Sequence, residues 1–222
     1  QVELRVICGG TGFVLELGKR GEVDLLAVHD PRREEEFVRS GYGFRRVPFA
    51  FNYFVILGPQ GDPGGIKGLG PVEAMRRIAS KGLTFVSRGD GSGTHSRELA
   101  LWKEAGLDPR WLRQQKWYVE AGLGMGQTLI LADQKGGYVL SDRATYLTFR
   151  DKIRLVPLVD RGEGLLNVYS LILINPKRHE GVNSVGAEAL VRFLTSVEGK
   201  RFIKGFKLKE GGEPLLMPYE GK

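Results

Sequence analysis

Thr84-Phe85-Val86-Ser87-Arg88-Gly89-Asp90-Gly91-Ser92-Gly93-Thr94-His95 is the densest stretch of chemistry in the chain. Residues 84–86 read as a short β-strand. The Gly-rich turn that follows leads into a helix from about Ser96 to Ala105. Such a turn points backbone N–H groups outward, and the helix dipole adds partial positive charge at the same place. Gly89, Gly91 and Gly93 permit positive φ and close approach of backbone to a ligand. Ser92 and Thr94 add hydroxyl donors, and Arg88 adds a permanently charged planar fork. The combination is an anion nest. The plainer alternative is a glycine turn capped by Ser92 or Thr94, with Arg88 ion-paired at the surface.

Enzymatic readings of the same loop fare poorly. Ser92 is flanked as Asp90-Gly91-Ser92-Gly93-Thr94, which is not the G-x-S-x-G of a nucleophile elbow. His95 falls in the first helical turn, where a positive charge is disfavoured. No HExxH, CxxC or paired-His spacing marks a metal site. The expectation is a binding protein that catalyses nothing and carries no cofactor.

Gly9-Gly10-Thr11-Gly12 is a second Gly-rich turn before a helix (about Phe13 to Lys19). It is not a P-loop: five residues separate Gly12 from Gly18-Lys19, and Arg20 stands where Ser or Thr is needed. Thr11 remains a candidate oxyanion contact. Gly122, Gly124 and Gly126 permit another tight turn before a helix near Thr128. Arg143 follows a strand end, where it either lines a site or pairs with Asp142.

Elsewhere strands alternate with helices, which implies α/β layers with mostly parallel sheets. Residues 2–8 alternate as a strand that buries Cys8. Val23–Val28 reads as a strand, and Arg32–Ser40 as a helix with Asp30 as N-cap and Pro31 in its first turn. Phe49–Leu57 is β-rich, and Pro71–Ser80 is helical. Strands follow at 137–140, 153–159 and 168–174, with helices at 128–135 and 144–149, and residues 184–204 read as helical. If the β-rich runs at 49–57 and 168–174 both cross between lobes, the middle of the chain forms one lobe and the two ends form the other. The aromatic and basic run Trp111 to Tyr118 reads as packing by Trp111 and Trp117, with its charges solvated.

The bulk numbers agree with a soluble α/β protein: 222 residues, 41% hydrophobic and 27% charged. The net charge of +7 suits an anionic partner. The basic residues are scattered, however, and no helix-turn-helix is visible, so nucleic acid is not the expected partner. One cysteine excludes an intramolecular disulfide. No transmembrane run or signal peptide is seen.

These residues resemble a known family, the tungstate-binding proteins of the TupA type in the extracellular solute-binding superfamily. Ser87 to His95 resembles the family signature. Gly10-Thr11-Gly12, Asp24 to Pro31, Gly41-Tyr42-Gly43, Asn52 to Pro59 and Asp62 to Ile66 follow in the family's order. So do Trp117-Tyr118, Gly124-Met125-Gly126, Ser141 to Tyr146 and Asn167-Val168-Tyr169.

The resemblance implies a two-lobed periplasmic-binding-protein-like fold (type II) with a ligand cleft between lobes, drawn here as 1–58 with 160–222 and as 59–159. It implies capture of tungstate or molybdate by Arg88, Ser92, Thr94, Gly91, Gly93, Thr11 and Arg143. It further implies delivery by a monomer to the permease of an ABC importer, in the periplasm or outside the cell. A phosphate or sulfate binder, or the sensing domain of a cytoplasmic regulator, is the alternative. The family also places a Thr/Ser-rich turn after a first strand. Nothing here matches that turn, and Val2–Cys8 resembles the family's second strand. The expectation is that an N-terminal piece is missing and that its absence weakens binding.

Overall fold

The computed structural model describes residues 3–209 and 212–221. The elements run α1 (Thr11–Arg20), β1 (Leu25–Val28), α2 (Pro31–Arg39), β2 (Gly43–Gly58), α3 (Pro71–Ser80), β3 (Phe85–Ser87), α4 (Gly93–Glu104), α5 (Pro109–Leu112), β4 (Tyr118–Glu120), α6 (Met125–Lys135), β5 (Val139–Asp142), α7 (Arg143–Phe149), β6 (Val156–Val159), β7 (Leu166–Ile174), α8 (Ser184–Thr195), α9 (Val197–Gly205) and β8 (Met217–Pro218). The chain separates into two compact units, Gln1–Phe51 with Val168–Lys222, and Asn52–Asn167.

In the first unit, β1 pairs antiparallel with β7 from Leu25↔Leu173 to Val28↔Ser170. Leu26, Val28, Ile172 and Ile174 are buried with Leu15 of α1 and Phe37 of α2. Helix α2 starts where the sequence marks it. Asp30 caps it by accepting the Arg33 N–H (3.2 Å), and Glu34 reaches back to accept the Asp30 N–H (2.7 Å). This is a capping box with its acid one residue further on. Glu34 is fully buried, and its other oxygen accepts from Arg46 Nε at 2.6 Å, so the charge is paired where it is hidden.

In the second unit, β2 pairs antiparallel with β5 (Phe54↔Asp142 to Leu57↔Val139) and with β6. β3 pairs parallel with β4, and makes a further parallel bridge from Phe85 to Tyr138, just ahead of β5. Helix α3 buries Ala74, Met75 and Ile78 on one face. That face joins Phe85, Leu101, Trp102 and Tyr138 in the larger core cluster.

Several expectations need correction. The pairing is mostly antiparallel among the described strands, because β2 is a 16-residue strand whose partners return along it in the opposite direction. Residues 3–10 form no strand, and Val2 lies outside the described residues. Leu4, Val6 and Ile7 are exposed, and so is Cys8. Alternation alone makes no strand where no neighbouring strand completes the ladder. The helical stretch 184–204 divides into two helices. Ser196 ends α8 and caps α9, its Oγ accepting the Gly199 N–H at 3.1 Å. Trp117 packs against the core, whereas Trp111 is exposed and meets only the edge of the Trp117 ring.

No helix among the described residues is long and apolar enough to cross a membrane.

Candidate functional site

Strands β3 and β4 run parallel, and each ends by feeding a helix: β3 leads through 88–92 into α4, and β4 leads through 121–124 into α6. β5, bridged in parallel to β3, leads directly into α7. Three helix N-termini therefore follow the carboxyl ends of neighbouring strands, the edge where open α/β sheets hold ligands. The two longer turns are laced together. Ala121 N–H donates to the Ser87 carbonyl (2.9 Å) and Gly122 N–H to the Arg88 carbonyl (3.0 Å).

The 87–95 turn holds its own shape. Gly89 has φ +63°, and a Cβ there would sit 2.9 Å from Glu120 Cβ, so both strain and space demand glycine. Gly91 also has positive φ. Gly93 does not: it is the first residue of α4, which begins three residues earlier than expected. Ser92 is the N-cap, its Oγ accepting the His95 N–H at 3.3 Å. The Ser92 N–H donates to Asp90 Oδ1 (3.1 Å), and the Gly91 N–H donates to His95 Nδ1 (3.0 Å).

Two of the amides expected to point outward are thus used inside the turn. The N–H groups of Gly93 and Thr94, and the Thr94 hydroxyl, take no partner among the described residues, although Thr94 is 2% exposed. Ser92 and His95 do not form a nucleophile–base pair, since the serine oxygen meets the His95 main chain and the imidazole Nδ1 meets Gly91.

Arg88 is tied into the turn on two sides. Its guanidinium pairs with Asp90 at 2.9 Å, and its Nε donates to the Leu123 carbonyl at 3.5 Å. Both side chains of the ion pair are largely buried, at 17% and 20% exposed. Asp90 braces the turn and also shares Arg88's charge.

Arg143 opens α7 behind Asp142. That aspartate caps the helix by accepting the Thr145 N–H (2.8 Å) and hydroxyl (2.7 Å), while Arg143 approaches Asp160 at 3.9 Å. Thr11 is buried at the start of α1, after the uncapped Gly10, and belongs to the first unit; Arg88, Gly91, Ser92, Gly93, Thr94 and Arg143 belong to the second.

Two features escaped the sequence reading. Helix α6 starts at Met125, three residues earlier than its expected start, and its Gly124 N-cap supplies no side-chain bond, which leaves its first-turn amides uncapped from within. Glu98 is the other. Thr94, Glu98, Leu101 and Trp102 form one buried stripe on α4. An acid at i+4 from a candidate ligand residue, inside an apolar stripe, was a readable signal.

A profile of the PBP superfamily domain matches residues 1–198. The TupA tungstate-binding protein of Peptoclostridium acidaminophilum is 38% identical over 224 aligned residues, covering all of this chain and 77% of that protein. Two solved structures are also similar. The tungstate-binding protein TupA from Desulfovibrio alaskensis G20 is 38% identical with TM-score 0.84, over 98% of this chain and 87% of that one. The tungstate ABC transporter structure from Geobacter sulfurreducens is 43% identical with TM-score 0.81, over 90% and 84%. The chain belongs to the PBP superfamily and, within it, to the family of TupA tungstate-binding proteins.

Proposed function

We propose that this chain binds tungstate, with molybdate as its nearest competitor, and hands it to the permease of an ABC importer in the periplasm or outside the cell. The contacts assigned are the Arg88 fork, the hydroxyls of Ser92 and Thr94, the amides of Gly93 and Thr94, and Arg143, all within the second unit. Gly91 shapes the turn rather than donating, because its N–H is engaged by His95. The observation that carries the reading is the start of α4. Two amides and a buried hydroxyl lie there without partners among the described residues, beside an arginine fork.

Tungstate at neutral pH is a fully deprotonated dianion that only accepts hydrogen bonds, so its site should contain donors. Asp90 supports this choice over monohydrogen phosphate. Its Oδ1 takes the Ser92 N–H and its Oδ2 takes Arg88, so it is committed to bracing the turn rather than to accepting a ligand proton. Each charge-assisted bond contributes about 1.5–3 kcal/mol. Nanomolar affinity needs about 12 kcal/mol, which about six such donors supply after ordering costs.

A ligand present at a thousand times its Kd stabilises the folded state by about 4 kcal/mol. For a chain of this size that raises Tm by roughly 10 °C. Sodium tungstate should produce this shift in a thermal melt, and sodium chloride at equal ionic strength should not. A melt that tungstate leaves unmoved would contradict the proposal.

A further inference from the structure

Glu98 lies one helical turn beyond Thr94 on α4 and is 2% exposed. Its Oε1 accepts from the Tyr118 hydroxyl at 2.7 Å and from Trp102 Nε1 at 3.1 Å. The Ser87 hydroxyl and the Arg88 main-chain N–H also act on this carboxyl and favour its ionised form. All four groups are neutral. The charges on the surrounding elements are otherwise engaged. Arg88 pairs with Asp90, Arg113 with Glu120 at the end of β4, Arg97 with Glu104, and Arg143 with Asp160; His95, on the same helix, accepts from Gly91. Burial outweighs the neutral donors and pushes the Glu98 carboxyl up to about 7.

Resting on the oxyanion reading above, we propose that Glu98 is a proton acceptor coupled to anion capture: when a dianion settles at Arg88 and Thr94, Glu98 takes up a proton. The geometry sets the direction. Side chains at i and i+4 of a helix are neighbours, about 5–6 Å apart between Cβ atoms. A buried carboxylate one helical turn from the residue that holds a dianion is repelled by it, and the repulsion favours its protonated form by roughly tenfold or more. Oε1 is already occupied by two donors, which leaves Oε2 to carry the proton. The Ser87 hydroxyl, buried and without a short hydrogen bond, acts on the carboxyl from close by and can rotate to accept from it. The proton comes from solvent, and no bond of the ligand changes.

By linkage, an anion that prefers protonated Glu98 binds more tightly as pH falls through the carboxyl's titration, and the gain levels off below it. Wild-type affinity for tungstate should therefore rise several-fold from pH 8.5 to pH 6.5. Calorimetric titration of sodium tungstate at pH 7.5, in two non-oxyanion buffers of different ionisation enthalpy, should give heats that differ by the uptake of roughly half a proton per anion. Glu98→Gln should still bind tungstate, with no buffer dependence and a flat pH profile.

Tungstate binding with buffer-independent heat in the wild type overturns the proposal and leaves the oxyanion reading standing. Uptake that persists in Glu98→Gln assigns the proton to another group, His95 first, and overturns it too. No tungstate heat at all overturns both. If Glu98→Gln does not fold, Tyr118→Phe serves: it removes one donor to the carboxylate and should move the affinity transition to higher pH. An unmoved transition rules out Glu98.

Discussion

Arg88→Lys should lower tungstate affinity at least tenfold while shifting Tm by no more than a degree or two. Lysine keeps the charge but loses the rigid fork. That fork reaches the Asp90 carboxylate and the Leu123 carbonyl at once, which fixes where its remaining N–H groups point. A flexible ammonium can hold one such partner but cannot present planar donors to two oxygens of a tetrahedral anion. Arg88→Ala removes the charge as well and should cost about a hundredfold, from two lost charge-assisted bonds at about 1.5 kcal/mol each. Asp90 keeps the Ser92 N–H as a partner when the fork is gone, so the loss costs little fold stability. Titration calorimetry and a melt of the same samples decide the matter. Unchanged affinity with a lowered Tm would make Arg88 a structural residue of the 88–91 turn.

Trp102→Ala should have the largest effect on stability. Trp102 is fully buried, meets Phe85 edge-on at 5.0 Å, and packs beside Trp117 and Tyr118. Its truncation leaves a cavity costing about 3–5 kcal/mol. It also takes one donor from Glu98, a carboxyl that burial already penalises. Tm should fall by roughly 10 °C or more. Trp111→Ala, at an exposed position, should change stability by less than about 1 kcal/mol. A denaturant titration that finds the two variants equally stable would show that the core of the second unit is not organised around Trp102.

Where local chemistry decides the structure, the sequence was readable. Asp30 with Pro31 marks the start of α2, Pro71 marks α3, and the glycines at 89 and 91 mark a turn that other residues could not make. The 87–95 loop stood out because its donors are close together in sequence. What was not readable depends on partners distant in the chain. Residues 3–10 alternate like a strand yet acquire no ladder. The direction of pairing along β2 is set by segments some eighty residues away or more. The break at Ser196 hides in a good helical pattern, because a serine inside a helix and a serine capping a new one look alike until the carbonyl of Phe193 and the N–H of Gly199 are both in place. Glu98 has a local signal in the apolar stripe of α4, but the donor that closes over it from outside the helix, Tyr118, is twenty residues away.

The use of Gly91 and Ser92 amides inside the turn was likewise invisible, since it needs the Asp90 and His95 side chains folded back onto the backbone. A turn braced this way spends no ordering entropy when the ligand arrives, so the loss of two donors is offset by preorganisation.

The central claim is that this chain is a receptor for a fully deprotonated tetrahedral dianion. Calorimetric titration of the purified chain with sodium tungstate, molybdate, sulfate and phosphate at pH 7.5 and equal ionic strength tests it directly. The account predicts saturable one-to-one binding with tungstate and molybdate tightest, sulfate weaker and phosphate weakest. Phosphate binding more tightly than tungstate, or no saturable heat with any of the four, would contradict it.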